Sequence, residues 1–163
     1  MVDDVGDSMS GGELRGFDES LPMALLSARE AAMKLFRPML AEHDLTEQQW
    51  RVLRALRALH ARNEAVEVGP LAELASLLAP SMSRILANLE ARGLIVRTMA
   101  SHDQRRAAIS LSSQGAALVE LIAPESEATY EEIERRFGQV RLRQLIKELG
   151  ELTSALTNSP GES

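Results

Sequence analysis

The sequence predicts a mainly α-helical protein with one small β-hairpin. Apolar residues recur at steps of three and four through most of the chain, a spacing typical of amphipathic helices. The core must be aliphatic, because only 3% of the residues are aromatic while 45% are hydrophobic, and this composition favours packed helices. A β-favouring run after residue 94 departs from the helical spacing. A chain of 163 residues is long enough to form one domain with a substantial core.

The first predicted helix runs from Leu21 to Leu40 and carries two apolar stripes. One stripe consists of Leu21, Leu25, Ala28, Ala32, Leu35 and Met39, and the other of Leu26, Met33, Phe36 and Leu40. We therefore expect this helix to be buried on two sides, with Pro38 bending its last turn. Residues 1–19 and 158–163 are rich in small and polar residues, so both ends are predicted to be disordered.

Three further helices are predicted before the hairpin. Thr46 and Gln49 form the pattern of a capping box that starts a helix reaching about His60. A short helix begins near Pro70, a residue that suits a first helical turn. A fourth helix spans roughly Ala79 to Arg92 and ends at Gly93. The last two helices and the tight turn between them give a helix-turn-helix.

The hairpin and two long helices complete the predicted order. Residues 94–99 and 105–111 form the two strands around a polar tip. Ser112 is placed to cap a fifth helix, which Pro124 is expected to kink. In the last helix five leucines step by 3, 4, 3 and 4, the seam expected where helices of two chains pack: Leu142, Leu145, Leu149, Leu152 and Leu156.

The composition excludes several classes of protein. The chain has no Cys, and its three His do not lie at a metal-ligand spacing, so we expect no disulfide, metal or other cofactor. No apolar run reaches the length of a membrane span, and the acidic start lacks the features of a signal peptide, which favours a cytoplasmic location. No set of catalytic side chains is recognisable, which argues against an enzyme.

The fourth helix carries a candidate DNA-reading face. Met82, Ile85, Leu86 and Leu89 share one face, while the opposite face holds small residues together with Ser83, Arg84 and Asn88. Arg84 can donate twice to guanine, and Asn88 can pair with the donor and acceptor of adenine. Ser81 and Ser83 can bond phosphates. The alternative is an ordinary solvated face that happens to be rich in small residues.

The hairpin adds positive charge beside this helix. Five arginines lie between residues 84 and 106 against only Glu90 and Asp103, although the whole chain has a net charge of −6. Asp103 is placed to orient Arg105 through a bidentate pair, and the alternative is a surface ion pair of little consequence. The candidate DNA contacts of the hairpin are Arg97, His102, Asp103, Gln104, Arg105 and Arg106.

This order of elements resembles the multiple antibiotic resistance regulator (MarR) family over about residues 20–150. The stretches NLEARGLIVR and DQRRAAISLSSQG are similar to its wing signature. More narrowly, SLPMALLSAREAAMKLFRP, HDLTEQQWRVLRAL, APSMSRIL and HDQRRAAISL resemble the repressors of homoprotocatechuate (4-hydroxyphenylacetate) degradation operons. Residues 61–69 look longer or looser than in the family, which leaves the third strand of the wing open.

The resemblance implies a dimeric winged helix-turn-helix repressor that reads double-stranded DNA. The family places Arg105 of the wing tip in the minor groove, with Asp103 as its orienting partner. In a twofold dimer the two reading helices meet half-sites roughly 10 base pairs apart in a palindromic operator. The expected organisation is one domain over residues 20–157, with a winged-helix part at about 45–111 and dimerisation helices at about 20–42 and 112–157.

A candidate effector pocket involves the first helix. Arg29 projects into the second apolar stripe, where a buried guanidinium needs an anion such as the carboxylate of a small aromatic acid. Trp50 offers an aromatic wall, and Gln49 and His43 offer polar contacts. Weaker candidates for the anion are Arg37 and Arg51.

Each of these residues also has a purely structural interpretation. Arg29 could instead pair with an acid such as Glu47 or one on a partner chain, or extend to water. Trp50 could be a core residue, and His43 an exposed residue at a helix break.

Other functions remain open at this stage. A winged helix can serve only as a protein-interaction module, in which case Arg84 and Arg105 would be incidental. A regulator of this family could also respond to another class of ligand. Charge reversal at Arg105 separates the first alternative from DNA binding, since it would abolish operator binding only if the hairpin contacts DNA.

Overall fold

The computed structural model describes residues 16–60, 66–100 and 103–157. Within these ranges it contains a 3₁₀ turn, Phe17–Glu19, followed by six helices and two strands. They are α1 (Leu21–Glu42), α2 (Glu47–His60), α3 (Val68–Leu74), α4 (Ala79–Ala91), β1 (Ile95–Ala100), β2 (Asp103–Leu111), α5 (Ser113–Phe137) and α6 (Gln139–Thr157). The predicted order of helices and hairpin is confirmed, and both Pro38 and Pro124 lie inside helices that continue past them.

Contacts divide the chain into two units, residues 1–34 and residues 35–163. In the described part of the first unit, the leucines of α1 are exposed, and Leu26 retains 50% of its accessible surface. The prediction that α1 is buried on two sides is therefore wrong for the single chain. In the second unit the last turns of α1 do bury Phe36, Met39 and Leu40.

The core of the second unit is aliphatic, as the composition predicts. Its fully buried side chains come from the end of α1 and from α2, α3, α4, β2 and α5, and they include Leu40, Leu53, Leu71, Ile109 and Ile122. The buried face of α4 is the predicted one and consists of Met82, Ile85, Leu86 and Leu89. The opposite face of this helix is thereby left to solvent.

Two side-chain caps define where helices start. The Thr46 backbone N–H donates to Gln49 Oε1 at 2.9 Å, and the Gln49 N–H donates to Thr46 Oγ1 at 3.1 Å. This reciprocal pair is the predicted capping box of α2. The Gly115 N–H donates to Ser112 Oγ at 2.9 Å, which confirms Ser112 as the cap of α5. Helix α3 begins two residues before Pro70, which then occupies its first turn.

In the described ranges, two residues other than glycine have positive φ, and arginine side chains form hydrogen bonds to the turn that contains each of them. Asp44, between α1 and α2, has φ 53°, and its carbonyl accepts from Arg92 Nη1 at 2.8 Å. Ser76, between α3 and α4, has φ 50°. Arg51 Nη1 donates to the carbonyls of Ala75 and Ser76 at 3.2 and 3.4 Å. Left-handed backbone is unfavourable for these residues, so the arginine bonds help to hold both turns.

The hairpin is antiparallel and gains a third strand only as a single bridge. Ile95 pairs with Leu111 and Arg97 with Ile109, and the register shifts between Met99 and Ala100. Val66 forms an isolated antiparallel bridge with Ile109, in which the Ile109 N–H donates to the Val66 carbonyl at 2.8 Å. The sequence of residues 61–69 did not decide whether the wing has a third strand. In the described part of the chain this strand is a single residue, Val66. We call the hairpin β1–β2 the wing.

The wing is joined tightly to the start of α5. The Ser112 hydroxyl donates to the Gly93 carbonyl at 2.6 Å, and the Ser112 N–H donates to the Leu94 carbonyl at 3.1 Å. A Cβ built on Gly115 would lie 1.9 Å from the Leu94 carbonyl oxygen. Glycine is therefore required at this position by the close approach of the two backbones.

Helix α6 buries none of its described residues when the chain is considered alone. Its exposed apolar side chains include Val140, Ile146 and Leu156, which retain 71%, 57% and 73% of their surface. On the predicted leucine seam Leu145 and Leu156 are both exposed, and an exposed apolar seam is typical of a surface that another chain covers. Among the described residues, no helix is long and apolar enough to span a membrane.

Replacing Gly115 by Ala tests the contact between the wing and α5. Alanine normally favours a helix, but here its Cβ would collide with the Leu94 carbonyl, so the free energy of unfolding should fall by about 1–3 kcal/mol or more. Gly69→Ala is the matched control, because a Cβ at Gly69 would meet no atom within 4 Å, and it should be neutral or stabilise by about 0.4–1 kcal/mol. Urea unfolding measures both changes, and equal stabilities would contradict the close approach.

Candidate nucleic-acid interface

The outward face of α4 borders an open groove. Ser83, Arg84 and Asn88 are exposed on this face, and Ser81 is partly exposed. A groove of about 280 Å³ separates this face from the start of α2, and it is lined by Thr46, Gln48, Gln49, Ser81, Arg84, Ile85 and Asn88. Of the four residues that the sequence assigned to DNA reading on this helix, Ser81, Arg84 and Asn88 line the groove, and Ser83 is exposed outside its lining.

A hydrogen bond joins the two sides of the groove. Gln49 Nε2 on α2 donates to Asn88 Oδ1 on α4 at 2.7 Å. Gln49 is buried and also takes part in the capping box with Thr46, so its carboxamide is bonded at both its oxygen and its nitrogen. The sequence assigned Gln49 to an effector pocket, whereas the structure places its side chain against the candidate reading helix.

Ser83 and Arg84, also on this face, differ in whether they have a bonding partner within the chain. The Ser83 hydroxyl donates to the Ala79 carbonyl at 3.2 Å, one turn back in its own helix. Arg84 forms no ion pair with any residue that the structure describes. Its guanidinium is therefore the most available cation at the groove.

Two other arginines of the basic segment serve the fold. Arg97 Nε on β1 lies 2.9 Å from Glu90 Oε2 on α4, a pair that ties the wing to the end of the candidate reading helix. Arg92 donates to the carbonyls of Asp44 and His43. The local excess of positive charge seen in the sequence is thus partly used within the chain.

The remaining candidate DNA contacts of the wing lie at its tip and on β2. Asp103, Gln104, Arg105 and Arg106 lie in β2, but their side chains are outside the described part of the structure, as is the whole of His102. Their predicted contacts with DNA, and the predicted pairing of Asp103 with Arg105, stay predictions. The register of β2 does place Asp103 opposite Ala100 at the end of the hairpin.

A second cavity lies on another face of α2, against α5. It measures about 250 Å³ and is lined by Trp50, Arg54, Arg57, Ala58, Val119, Ala123, Ser126 and Glu127. Trp50 is 6% exposed, so it is both a core residue and a wall of the cavity. An apolar wall with cations at the mouth suits a small ligand that has an aromatic ring and a negative charge.

The two arginines of this cavity have different partners. Arg57 Nε lies 2.6 Å from Glu120 Oε1, so its charge is compensated within the chain. Arg54 Nη1 donates to the Tyr130 hydroxyl at 3.2 Å and forms no ion pair among the described residues. The Tyr130 ring in turn meets Phe36 edge to face, with centroids 5.2 Å apart. Arg54 is therefore the arginine of this cavity whose charge no described carboxylate neutralises.

Of the residues predicted for the effector pocket, His43, Gln49 and Trp50 do not line one common cavity. Trp50 alone lines the cavity between α2 and α5. His43 Nε2 lies 3.2 Å from Glu125 Oε1 and borders a different cleft. The expectation that Arg29 is buried is wrong for the single chain, because its side chain is 45% exposed and pairs with Glu30 at 2.6 Å. An exposed guanidinium keeps its hydration and does not require a ligand anion.

The weaker candidates for the anion also have partners inside the chain. Arg37 Nε lies 2.6 Å from Glu47 Oε1, and Arg51 clamps the turn before α4. Sequence reasoning missed Arg54, although a signal was present: it follows Trp50 by four residues and therefore shares its helix face. Tyr130 could not be found in this way, because it comes from α5 and meets α2 only in the folded chain.

The described residues contain no cluster of three or more acidic, His or Cys side chains able to hold a metal ion.

A helix-turn-helix with an exposed second helix, followed by a wing, defines a winged-helix protein of the class that binds DNA. Residues 43–106 match the MarR family. The homoprotocatechuate degradative operon repressor of Escherichia coli is 42% identical over 144 residues, which cover 88% of this chain and 94% of the repressor. The chain therefore belongs to the MarR family of transcriptional regulators, which confirms the resemblance, and it is a regulator rather than an enzyme.

Solved structures agree with this assignment. The transcriptional regulator PA4135 is 44% identical with a TM-score of 0.77, over 83% of this chain and 96% of that one. NadR in complex with 4-hydroxyphenylacetate is 38% identical with a TM-score of 0.72, over 86% and 96% of the two chains. The repressor CouR, bound to a 23-mer DNA duplex, is 26% identical with a TM-score of 0.74, over 86% and 99%. The predicted fold class is thereby confirmed.

Proposed function

We propose that this chain is the homodimeric repressor of an operon for the degradation of an aromatic acid, and that a small aromatic carboxylate releases it from a palindromic operator. Its similarity to the Escherichia coli repressor and to NadR supports the class of operon and of ligand. The observation that carries the proposal is the arrangement on α2, where one side faces the α4 groove and another lines the Trp50 cavity. A cytoplasmic location is part of the proposal, because the relatives are bacterial and a bacterial repressor meets its operator in the cytoplasm.

Recognition of the operator is assigned to α4 and the wing. Exposed Arg84 on α4 is suited to the acceptors of guanine in the major groove, and Ser81 to a phosphate. Arg105 and Arg106, aided by His102, Asp103 and Gln104, are proposed to contact the backbone or the adjacent minor groove. This division gives base reading to the helix and added affinity to the wing.

The dimer is assigned to α6. Its leucine seam repeats with a spacing typical of packed helices, and the single chain buries none of its residues within the described ranges. A second copy is the partner that this pattern favours, since a twofold axis would bring the same leucines together. The two α4 helices would then face half-sites roughly 10 base pairs apart.

The effector is assigned to the cavity between α2 and α5. Trp50 offers a ring face to an aromatic ligand, and Arg54 offers a guanidinium for its carboxylate. The cavity of about 250 Å³ suits a ligand with a single ring. This moves the proposed anion contact from Arg29 to Arg54.

Release of DNA requires the effector to bind better to a dimer whose reading helices are wrongly spaced. Only this difference in affinity can shift the equilibrium between the two states. A coupling free energy of about 1–3 kcal/mol would weaken operator binding roughly 5- to 150-fold. Helix α2 is the element that touches both sites and is therefore the proposed route of coupling.

Removal of the Arg84 side chain tests DNA reading by α4. Arg84→Ala should weaken binding to the protein's own promoter fragment by about 1–3 kcal/mol, because a bidentate contact to guanine is lost. Fluorescence anisotropy of a labelled duplex measures the affinity. The control is Arg135→Ala, which removes an equal charge from the far end of α5 and should leave the affinity within about twofold. An equal loss in both variants would show that only net charge matters.

An aspartate in the leucine seam tests the dimer. Leu145→Asp should convert the protein to a monomer and abolish tight operator binding, because a charge would be buried between two α6 helices. Ser154→Asp adds the same charge away from the seam and should stay dimeric. Sedimentation velocity measures the mass of each. The proposal fails if the unmodified chain is a monomer or if Leu145→Asp remains a dimer.

A pair of ligands that differ only in charge tests the effector site. Unmodified protein should bind 4-hydroxyphenylacetate roughly 10- to 150-fold more tightly than the neutral 4-hydroxyphenylacetamide, because a hydrogen bond to a charged group is worth about 1.5–3 kcal/mol. Arg54→Met should remove most of this preference, whereas Arg57→Met should retain it, since Glu120 already neutralises Arg57. Fluorescence of Trp50, the only Trp, reports binding. Equal affinity of the unmodified protein for acid and amide would refute a carboxylate contact.

A further inference from the structure

We infer that Gln49 fixes the polarity of the Asn88 side chain, so that Asn88 offers DNA only N–H donors and binds a hydrogen-bond acceptor there. The inference rests on the proposed DNA-binding role of α4. It adds Gln49 as a positioning residue that acts through Asn88. It also replaces the pairing of Asn88 with adenine that the sequence suggested.

The orientation of Gln49 follows from the chemistry of the capping box. The Thr46 backbone N–H can only donate, so the Gln49 atom 2.9 Å away must be the carbonyl oxygen Oε1. The Nε2 group of Gln49 therefore points away from the start of α2. Since Gln49 is only 9% exposed, turning its carboxamide over would leave a backbone donor and a carboxamide group poorly paired.

The orientation of Asn88 follows in turn. Gln49 Nε2 can only donate, so the Asn88 atom 2.7 Å away must be its acceptor Oδ1. The Asn88 oxygen is thus held against α2, and the Nδ2 group is directed away from it. Asn88 itself is exposed on the outward face of α4 beside the groove.

A carboxamide held in this way has a restricted choice of partners. Pairing with adenine needs a donor and an acceptor side by side, whereas the Asn88 oxygen is held toward α2 by Gln49, so the groups that Asn88 directs away from α2 are donors. The matching groups on DNA are acceptors, namely O6 and N7 of guanine, O4 of thymine, or a phosphate oxygen. Base atoms and phosphate oxygens can both accept a hydrogen bond from Asn88. Only a contact to a base would make the protein prefer one sequence over another.

The test inverts the carboxamide without removing the cap. Gln49→Glu keeps the capping box, because Glu is equally suited to that position, but its carboxylate can only accept. Asn88 must then turn its Nδ2 toward α2 and its oxygen toward DNA. Asn88→Asp presents an acceptor to DNA in a second way while still accepting from Gln49. Gln48→Glu is the matched control, since exposed Gln48 lines the same groove and adds the same charge.

Each protein is used to select from a pool of randomised DNA duplexes, and affinities for the winning sequence are measured. Gln49→Glu and Asn88→Asp should each bind roughly tenfold or more weakly than Gln48→Glu. If Asn88 contacts a base, both variants should change the preferred base at one position of each half-site, from guanine or thymine to cytosine or adenine. If it contacts a phosphate, both should lose affinity alike for all sequences.

The inference is overturned if Gln49→Glu matches Gln48→Glu in affinity and base preference. It is also overturned if the unmodified protein prefers adenine at a position whose preference Asn88→Asp alters. A purely structural role for Gln49 would lower the melting temperature without changing either DNA readout. Failure of the proposed function is distinct, because the unmodified protein would then enrich no sequence at all.

Discussion

The buried side chain of Gln49 imposes the constraint on which the proposed DNA-reading surface depends. A carboxamide removed from water must have partners for both its oxygen and its nitrogen. Gln49 finds them in the first residue before α2 and in Asn88 on α4, and in doing so it fixes the start of one helix against the outward side of another. The position of α4 relative to α2 is therefore specified by directional bonds as well as by the aliphatic core, which alone would tolerate small slips between the helices.

Helix α2 contacts several parts of the fold because its successive side chains have different partners. Gln49 turns to α4, Trp50 lines the cavity against α5, and Arg51 clamps the turn that precedes α4. One turn later Arg54 reaches Tyr130 on α5. A small rotation of this helix would be felt at the cavity, at the turn and at the groove together. This connectivity gives a physical route between the proposed ligand site and the proposed DNA-reading surface.

Sequence reasoning located most of the elements because their signals are local. The capping box at Thr46, the cap at Ser112 and the buried face of α4 each depend on residues that follow one another within four positions along the chain. It failed where partners are distant in sequence. The bonds of Gln49 to Asn88 and of Arg54 to Tyr130 join residues 39 and 76 positions apart, and no periodicity reports such contacts. Arg29 was misjudged for a related reason, since a helical stripe indicates which residues share a face but not whether that face is covered within one chain.

The engagement of Arg92 and Arg97 within the fold has a consequence for how such a protein would search a genome. With Arg92 and Arg97 bonded within the chain and an overall charge of −6, fewer positive groups are left to displace the ions that surround DNA. Attraction to arbitrary sequence comes almost entirely from this displacement. Its non-specific binding to DNA would therefore be weak. Its affinity for the operator would depend on shape and hydrogen bonding more than on net charge.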